Sequence, residues 1–142
     1  MRGRARALWV LTVLFAFRVV AQPAALAVDG LLPPFDSWDG GVLPYPVLLA
    51  TQVAILGWMA NTARRFSSGM GFPRRRFGRA AIVFGWLYFS FMFLRLLLGA
   101  TVLSDVRWFG SPLPAFFHLV LATYVLVYGY SHVHTVSGSG SR

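Results

Sequence analysis

The chain has 142 residues, 57% of them hydrophobic and only 12% charged, with a formal net charge of +9. A soluble domain carries roughly 25% charged residues. That contrast, with a mean hydropathy of +0.64, excludes an ordinary soluble domain and reads as an all-α polytopic membrane protein. Cys, Glu and Lys are absent, which excludes disulfides, thiol catalysis and Cys-ligated metal or iron–sulfur clusters.

The first apolar run covers about residues 7–28 and follows Arg2, Arg4 and Arg6. It carries Arg18, Gln22 and Pro23 and ends in Ala25-Leu26-Ala27, so it also fits the pattern of a cleaved signal peptide. Apolar sequence continues past Arg18, however. Its Leu, Val and Phe side chains together favour insertion by about 3–6 kcal/mol, and one central Arg costs about 2.5–3.5 kcal/mol. An uncleaved span is expected, with Arg18 partnered inside the fold. Residues 29–42, DGLLPPFDSWDGGV, have the Gly, Pro and Asp content of an extracytoplasmic turn.

The second run, 43–62, has Ala50, Ala54, Gly57 and Ala60 at helical spacing, a stripe of small residues that lets a neighbouring helix approach. Residues 63–79 follow as a basic connection holding Arg64, Arg65, Arg74, Arg75, Arg76 and Arg79. The third run, 80–103, is dense in aromatic side chains (Phe84, Trp86, Tyr88, Phe89, Phe91, Phe93), which are expected to fill gaps between helices and to meet lipid. A short turn, SDVRWFGSP, leads to the fourth run, 113–131. Each run approaches or exceeds the ~20 residues that cross a bilayer as a helix. Residues 1–134 thus read as one four-transmembrane-helix bundle, and 135–142 as a flexible cytoplasmic tail, whose SGSGSR ending is a natural tail or an expression remnant.

Charge sets the expected topology. The arginines before the first run and between the second and third stand opposite all four acids, Asp29, Asp36, Asp39 and Asp105. This positive-inside pattern puts both termini in the cytoplasm of a bacterial inner-membrane protein. Trp38, Tyr45, Trp108 and Phe109 are then expected at the outer interface. The basic stretch 64–79 meets anionic lipid headgroups, and a nucleic-acid reading of the charge is set aside.

The second and fourth runs share a motif, LATQVAILG at 49–57 and LATYVLVYG at 121–129, each preceded by a Leu-Pro pair. A tandem duplication of a helical hairpin makes Arg18 and Arg95 counterparts.

At 1.5 Å per residue, Gln22, Gln52, Arg95 and His118 all fall about 20–22 Å from the inner edge, one from each span. Arg18 lies one turn below Gln22 on the same face. Pro23 frees the Val19 carbonyl near this layer. Intramembrane ionisable residues face the interior or water. Arg18, Gln22, Gln52, Arg95 and His118 are therefore the candidate ligand-binding set, Arg supplying charge and forked donors for phosphate or carboxylate. Compensation of the buried Arg charge can instead come from outer-loop acids folded inward, from internal hydrogen bonds and snorkelling, or from an acid on a partner. His132 and His134 diverge on a helix and suit its C-terminal dipole better than a metal. No phosphate loop, catalytic triad order, metalloprotease motif or calcium loop is found, so no catalytic residue, metal or cofactor is expected.

FRVVAQ, LPYPVLLATQVAIL and RWFGSPLPAFFHLVLATYVLVYG resemble stretches of uncharacterised four-span bacterial inner-membrane proteins. The length, the four spans and the Arg of the first helix are similar, at a distance, to DoxX-like proteins. The Glu found in the spans of many of those has no counterpart here, so the resemblance implies neither redox chemistry nor site residues. The expected function is non-enzymatic binding of a small anionic or amphipathic ligand, lipid or quinone-like, in the outer half of the bundle. The alternatives are an accessory or assembly subunit meeting a membrane-protein partner or a second copy, and an enzyme acting on a lipid phosphate with His118 as acid or base.

Overall fold

In a computed structural model, the chain is described at residues 2–27, 30–38, 43–69, 74–103, 105–106 and 109–137, without the side chains of Arg2 and 134–137. Four helices carry it: α1 (Arg2–Ala24), α2 (Tyr45–Ser67), α3 (Arg75–Thr101) and α4 (Pro112–Ser137). All four are long and apolar enough to cross a membrane, so the protein is a multi-pass, all-helical membrane protein.

Each helix departs from its apolar run where local chemistry differs from hydropathy. α1 stops at Ala24 rather than near 28, one residue after Pro23, which cannot continue the hydrogen-bond ladder. α2 runs on through Arg64 and Arg65, and α3 begins at Arg75, so much of the expected basic loop is helical. Arg is a good helix former, and at the end of α2 it also meets the negative end of the helix dipole. α4 starts on Pro112 with Pro114 in its first turn, where a missing N–H costs nothing. It continues to Ser137, into the stretch read as a tail.

The helices run up and down in turn. Trp9 Nε1 donates to Ser67 Oγ at 3.0 Å, tying the start of α1 to the end of α2. The Arg74 N–H donates to His132 Nδ1 at 3.2 Å, tying the entry of α3 to the end of α4. The start of α1, the end of α2, the start of α3 and the end of α4 therefore share one side. α2 and α4 run parallel: the Tyr124 O–H donates to the Met59 carbonyl at 2.7 Å, and Phe66 packs edge-on against Tyr128 and His132.

The helices contact in the order α2–α1–α4–α3. Leu8, Phe15 and Val19 of α1 meet Met59 and Ala63 of α2 and Tyr124 of α4 in the main core. α3 packs only on α4 among the described helices, and very closely. Its buried residues include Gly78, Gly85, Met92 and Gly99, spaced by seven, and α4 buries Ala115, Ala122 and Gly129, spaced likewise. A Cβ at Gly129 would lie 2.9 Å from the Gly78 carbonyl oxygen and 2.8 Å from an Ile82 side-chain carbon. Small residues at heptad spacing let two antiparallel helices approach where lipid supplies no hydrophobic drive. The opposite side of α3 (Phe84, Trp86, Leu87, Phe91, Phe93, Leu94) is exposed on the bundle, as expected for a lipid face.

The stripe on α2 behaves differently from its expectation. Ala50, Ala54 and Gly57 are exposed, and no atom lies within 4 Å of a Cβ at Gly57. α1 docks instead on the adjacent face of Gln52, Met59, Thr62 and Ala63, because the large side chains of α1 need the wider seam there.

Candidate functional site

Residues 35–38 form a 3₁₀ turn that folds back onto the bundle. Trp38 is 2% exposed: its Nε1 donates to the Pro33 carbonyl at 3.0 Å, and its ring stacks on Phe117 of α4 at 6.1 Å. The internal hydrogen bond satisfies the indole N–H, as a buried Trp requires. Tyr45 is half-buried against Phe35, and Phe109 is half-buried. Trp108 lies outside the described residues.

Arg18 is buried beneath this turn. Its Nη2 donates to the Trp38 carbonyl at 3.1 Å, and its guanidinium carbon lies 5.3 Å from the centre of the Phe117 ring. A carbonyl dipole and a ring quadrupole both stabilise a cation, the second by about 0.5–2 kcal/mol. The connection between α1 and α2 therefore meets Arg18 through a backbone carbonyl. Asp36 and Asp105 are exposed; Asp29 and Asp39 lie outside the described residues.

Below Trp38 lies a cavity of about 160 Å³ between α2 and α4, with α1 as its floor. α2 lines it with Leu48, Thr51, Gln52 and Ile55, and α4 with Pro114, Phe117, His118 and Leu121. Both sets follow the i, i+3, i+4, i+7 pattern of one helix face. Phe15 and Arg18 complete the floor, and Leu43 the rim. The two lining faces oppose each other, yet the α2 and α4 backbones make no close approach among the described residues. Below, the Tyr124–Met59 hydrogen bond and the Trp58–Tyr124 ring contact at 5.6 Å close the gap.

Three of the five expected site residues meet here: Arg18, Gln52 and His118. Gln52 is only 4% exposed, and neither its amide oxygen nor its amide nitrogen has a hydrogen-bond partner. A buried polar group left so costs about 1–3 kcal/mol. Arg95 is buried on α3 outside the cavity, with Nη1 4.0 Å from Met92 Sδ. It reaches the site through side chains: Tyr88 of α3 hydrogen-bonds His118 Nδ1, and Arg95 acts electrostatically on both Tyr88 and His118. Arg18 acts on His118 from the other side. Gln22 is fully buried, its amide also without a partner, but it does not line the cavity. It was expected in the ligand-binding set; it lies one helical turn from Arg18, outside the cavity lining.

Two functional contributors escaped the sequence reading. Tyr88 was read only as one aromatic residue among many on α3, and nothing in its own surroundings marks it as the partner of His118. Trp38 lies in a polar turn, where an interfacial role is the usual expectation.

At the opposite end, His132 is buried with Nδ1 accepting from Arg74. The His134 side chain is outside the described residues. No cluster of metal-ligating side chains exists among the described residues.

Comparison with family models, with curated proteins and with solved structures gives no match.

Proposed function

We propose that this protein is a non-catalytic bacterial inner-membrane protein, with both termini cytoplasmic, that holds the polar head of a small anionic or amphipathic ligand in the cavity between α1, α2 and α4. The observation that carries the reading is Gln52. Its amide, buried and unpartnered, lines a cavity whose polar walls also include Arg18 and His118. A ligand head supplies the acceptor and the donor that such an amide needs. Arg18 adds a forked cation suited to carboxylate or phosphate, and His118, fixed from behind by Tyr88, presents the rest of its ring. The surrounding Phe15, Leu48, Ile55 and Leu121 take the apolar part. On the other side of the membrane, the exposed Arg64, Arg65, Arg74, Arg75, Arg76 and Arg79 suit anionic headgroups.

Native mass spectrometry of the protein released gently from its own membrane tests the reading. One small molecule per chain is expected in the wild type and none in Gln52→Leu. An empty wild-type chain, or equal loading of the variant, overturns it.

The uncovered face of Ala50, Ala54 and Gly57 on α2 favours a second reading, an accessory subunit whose partner helix lies there. Crosslinking in native membranes from cysteines placed on that face separates the two, since the chain has no Cys of its own. A reproducible partner supports this reading, and none removes it.

A further inference from the structure

Resting on the binding-site reading above, we infer that Tyr88 is a positioning residue that makes His118 a hydrogen-bond donor to the cavity. His118 and Gln52 then select an uncharged head group in which a carbonyl oxygen has an O–H or N–H beside it.

The first ground is the proton on the imidazole. Tyr88 and His118 are joined through the phenol oxygen and Nδ1, and their rings meet edge-on at 6.0 Å. Neither group has another hydrogen-bond partner among the described residues. For the neutral pair two arrangements exist. In one, Nδ1–H donates to the phenol oxygen, and the phenol O–H is left without an acceptor inside the membrane. In the other, the phenol O–H donates to Nδ1, and the imidazole carries its proton on Nε2. The orphaned O–H disfavours the first arrangement by about tenfold.

The second ground is the position of Nε2. It makes no hydrogen bond among the described residues, and neighbouring atoms do not seal it. Tyr88 of α3 takes the Nδ1 edge, while the ring lines the cavity between α2 and α4. The two ring nitrogens point in widely different directions. The edge that meets α3 therefore leaves the other for the cavity.

The third ground is the facing wall. Gln52 is 4% exposed, and its amide oxygen and nitrogen both lack a partner. The α4 wall thus offers an N–H, and the α2 wall offers an N–H and a C=O. A carbonyl oxygen has two lone pairs and accepts from both N–H groups, one from each wall. The Gln52 oxygen then still needs a donor. A carboxylate, a phosphodiester or a quinone has none. A primary amide, or a hydroxyl next to a ketone or ester, supplies both the acceptor and the donor. Arg18 is held by the Trp38 carbonyl and the Phe117 ring, so the selection falls to the amide and the imidazole.

Nitrogen NMR of ligand-stripped protein with isotope-labelled histidine, in lipid nanodiscs, tests the role of Tyr88. His118→Gln assigns the signals. In the wild type, His118 should show a bare Nδ1 and a protonated Nε2. Tyr88→Phe keeps the ring stacked on Phe84 and should give a mixture of both tautomers, which a purely structural role would not produce. A wild-type ring protonated at Nδ1 overturns the inference, and that is read without any variant. So does a Tyr88→Phe ring with the same single tautomer as wild type.

Native mass spectrometry of delipidated protein titrated with oleamide, N,N-dimethyloleamide and oleate tests the head group. The three share one apolar chain and differ only in the head. One oleamide per chain is expected, bound about tenfold or more tightly than either of the others, which lack the donor. Tyr88→Phe should weaken oleamide by about fivefold, and Gln52→Leu should erase the preference for it. Equal binding of N,N-dimethyloleamide or oleate, or a preference that survives Gln52→Leu, overturns the assignment. A wild-type chain that refuses oleamide but carries one molecule from its own membrane overturns this inference and leaves the binding site standing. A chain that carries neither overturns both.

Discussion

The two hairpins of this protein carry a common motif and use it in opposite ways. In α3–α4, the alanine and glycine of LATYVLVYG, Ala122 and Gly129, are both buried, Gly129 directly against Gly78 and Ile82 of α3. In α1–α2, the matching Ala50 and Gly57 are exposed. The cause lies in the preceding helix. When Arg18 is set beside Arg95, Leu8, Phe15 and Gln22 of α1 stand where α3 has Gly85, Met92 and Gly99. All three α1 residues are buried. A helix with those side chains on its packing face cannot sit as close as one with glycines. α1 therefore takes a different face of α2, and the wider seam leaves room for the cavity. Tight packing in one hairpin thus frames an open site beside the other, the division expected when a rigid element positions a binding pocket.

Substitutions that break this contrast should rank by how much backbone approach they destroy. Gly129→Leu should abolish the folded bundle, because its side chain has nowhere to go but into Gly78 and Ile82, whereas Gly57→Leu should leave it intact. Size-exclusion profile and thermal unfolding in detergent read both. Next comes Trp38→Ala, which removes the cover of the site and a buried stacking partner of Phe117. A loss of about 3–5 kcal/mol is expected, visible as a lowered unfolding midpoint. Gly129→Ala, a single methyl in the tight seam, should cost about 1–3 kcal/mol. Tyr124→Phe should cost about 0.5–1.5 kcal/mol, the net worth of its hydrogen bond to the Met59 carbonyl. Gly57→Ala should stabilise by up to about 1 kcal/mol, since it gains helix propensity and meets nothing. A destabilised Gly57→Ala, or a tolerated Gly129→Leu, would refute the contrast.

The sequence made the four spans legible because long apolar runs have one solution in lipid. It also marked Arg18, Gln52 and His118, since polar groups at such depth are conspicuous. Depth along a helix is readable at 1.5 Å per residue, but rotation about it is not. That is why Gln22 and Arg95 lie off the cavity, and why the Ala50–Gly57 stripe points outward. Choosing which face docks needed the side chains of α1 and the glycines of α3 together. The heptad of Gly78, Gly85 and Gly99 was present in the sequence and could have been counted. The role of Trp38 was not readable, because it depends on a turn folding back across the bundle, a non-local event with no local pattern.

The account turns on the Gln52 amide being kept for a ligand at some cost to the fold. The direct measurement is thermal unfolding of Gln52→Leu and wild type, both stripped of bound molecules. The account predicts that the variant is at least as stable as wild type, because it removes two unpartnered buried polar atoms. A clearly less stable variant would mean that the amide holds the bundle together, and would contradict the site.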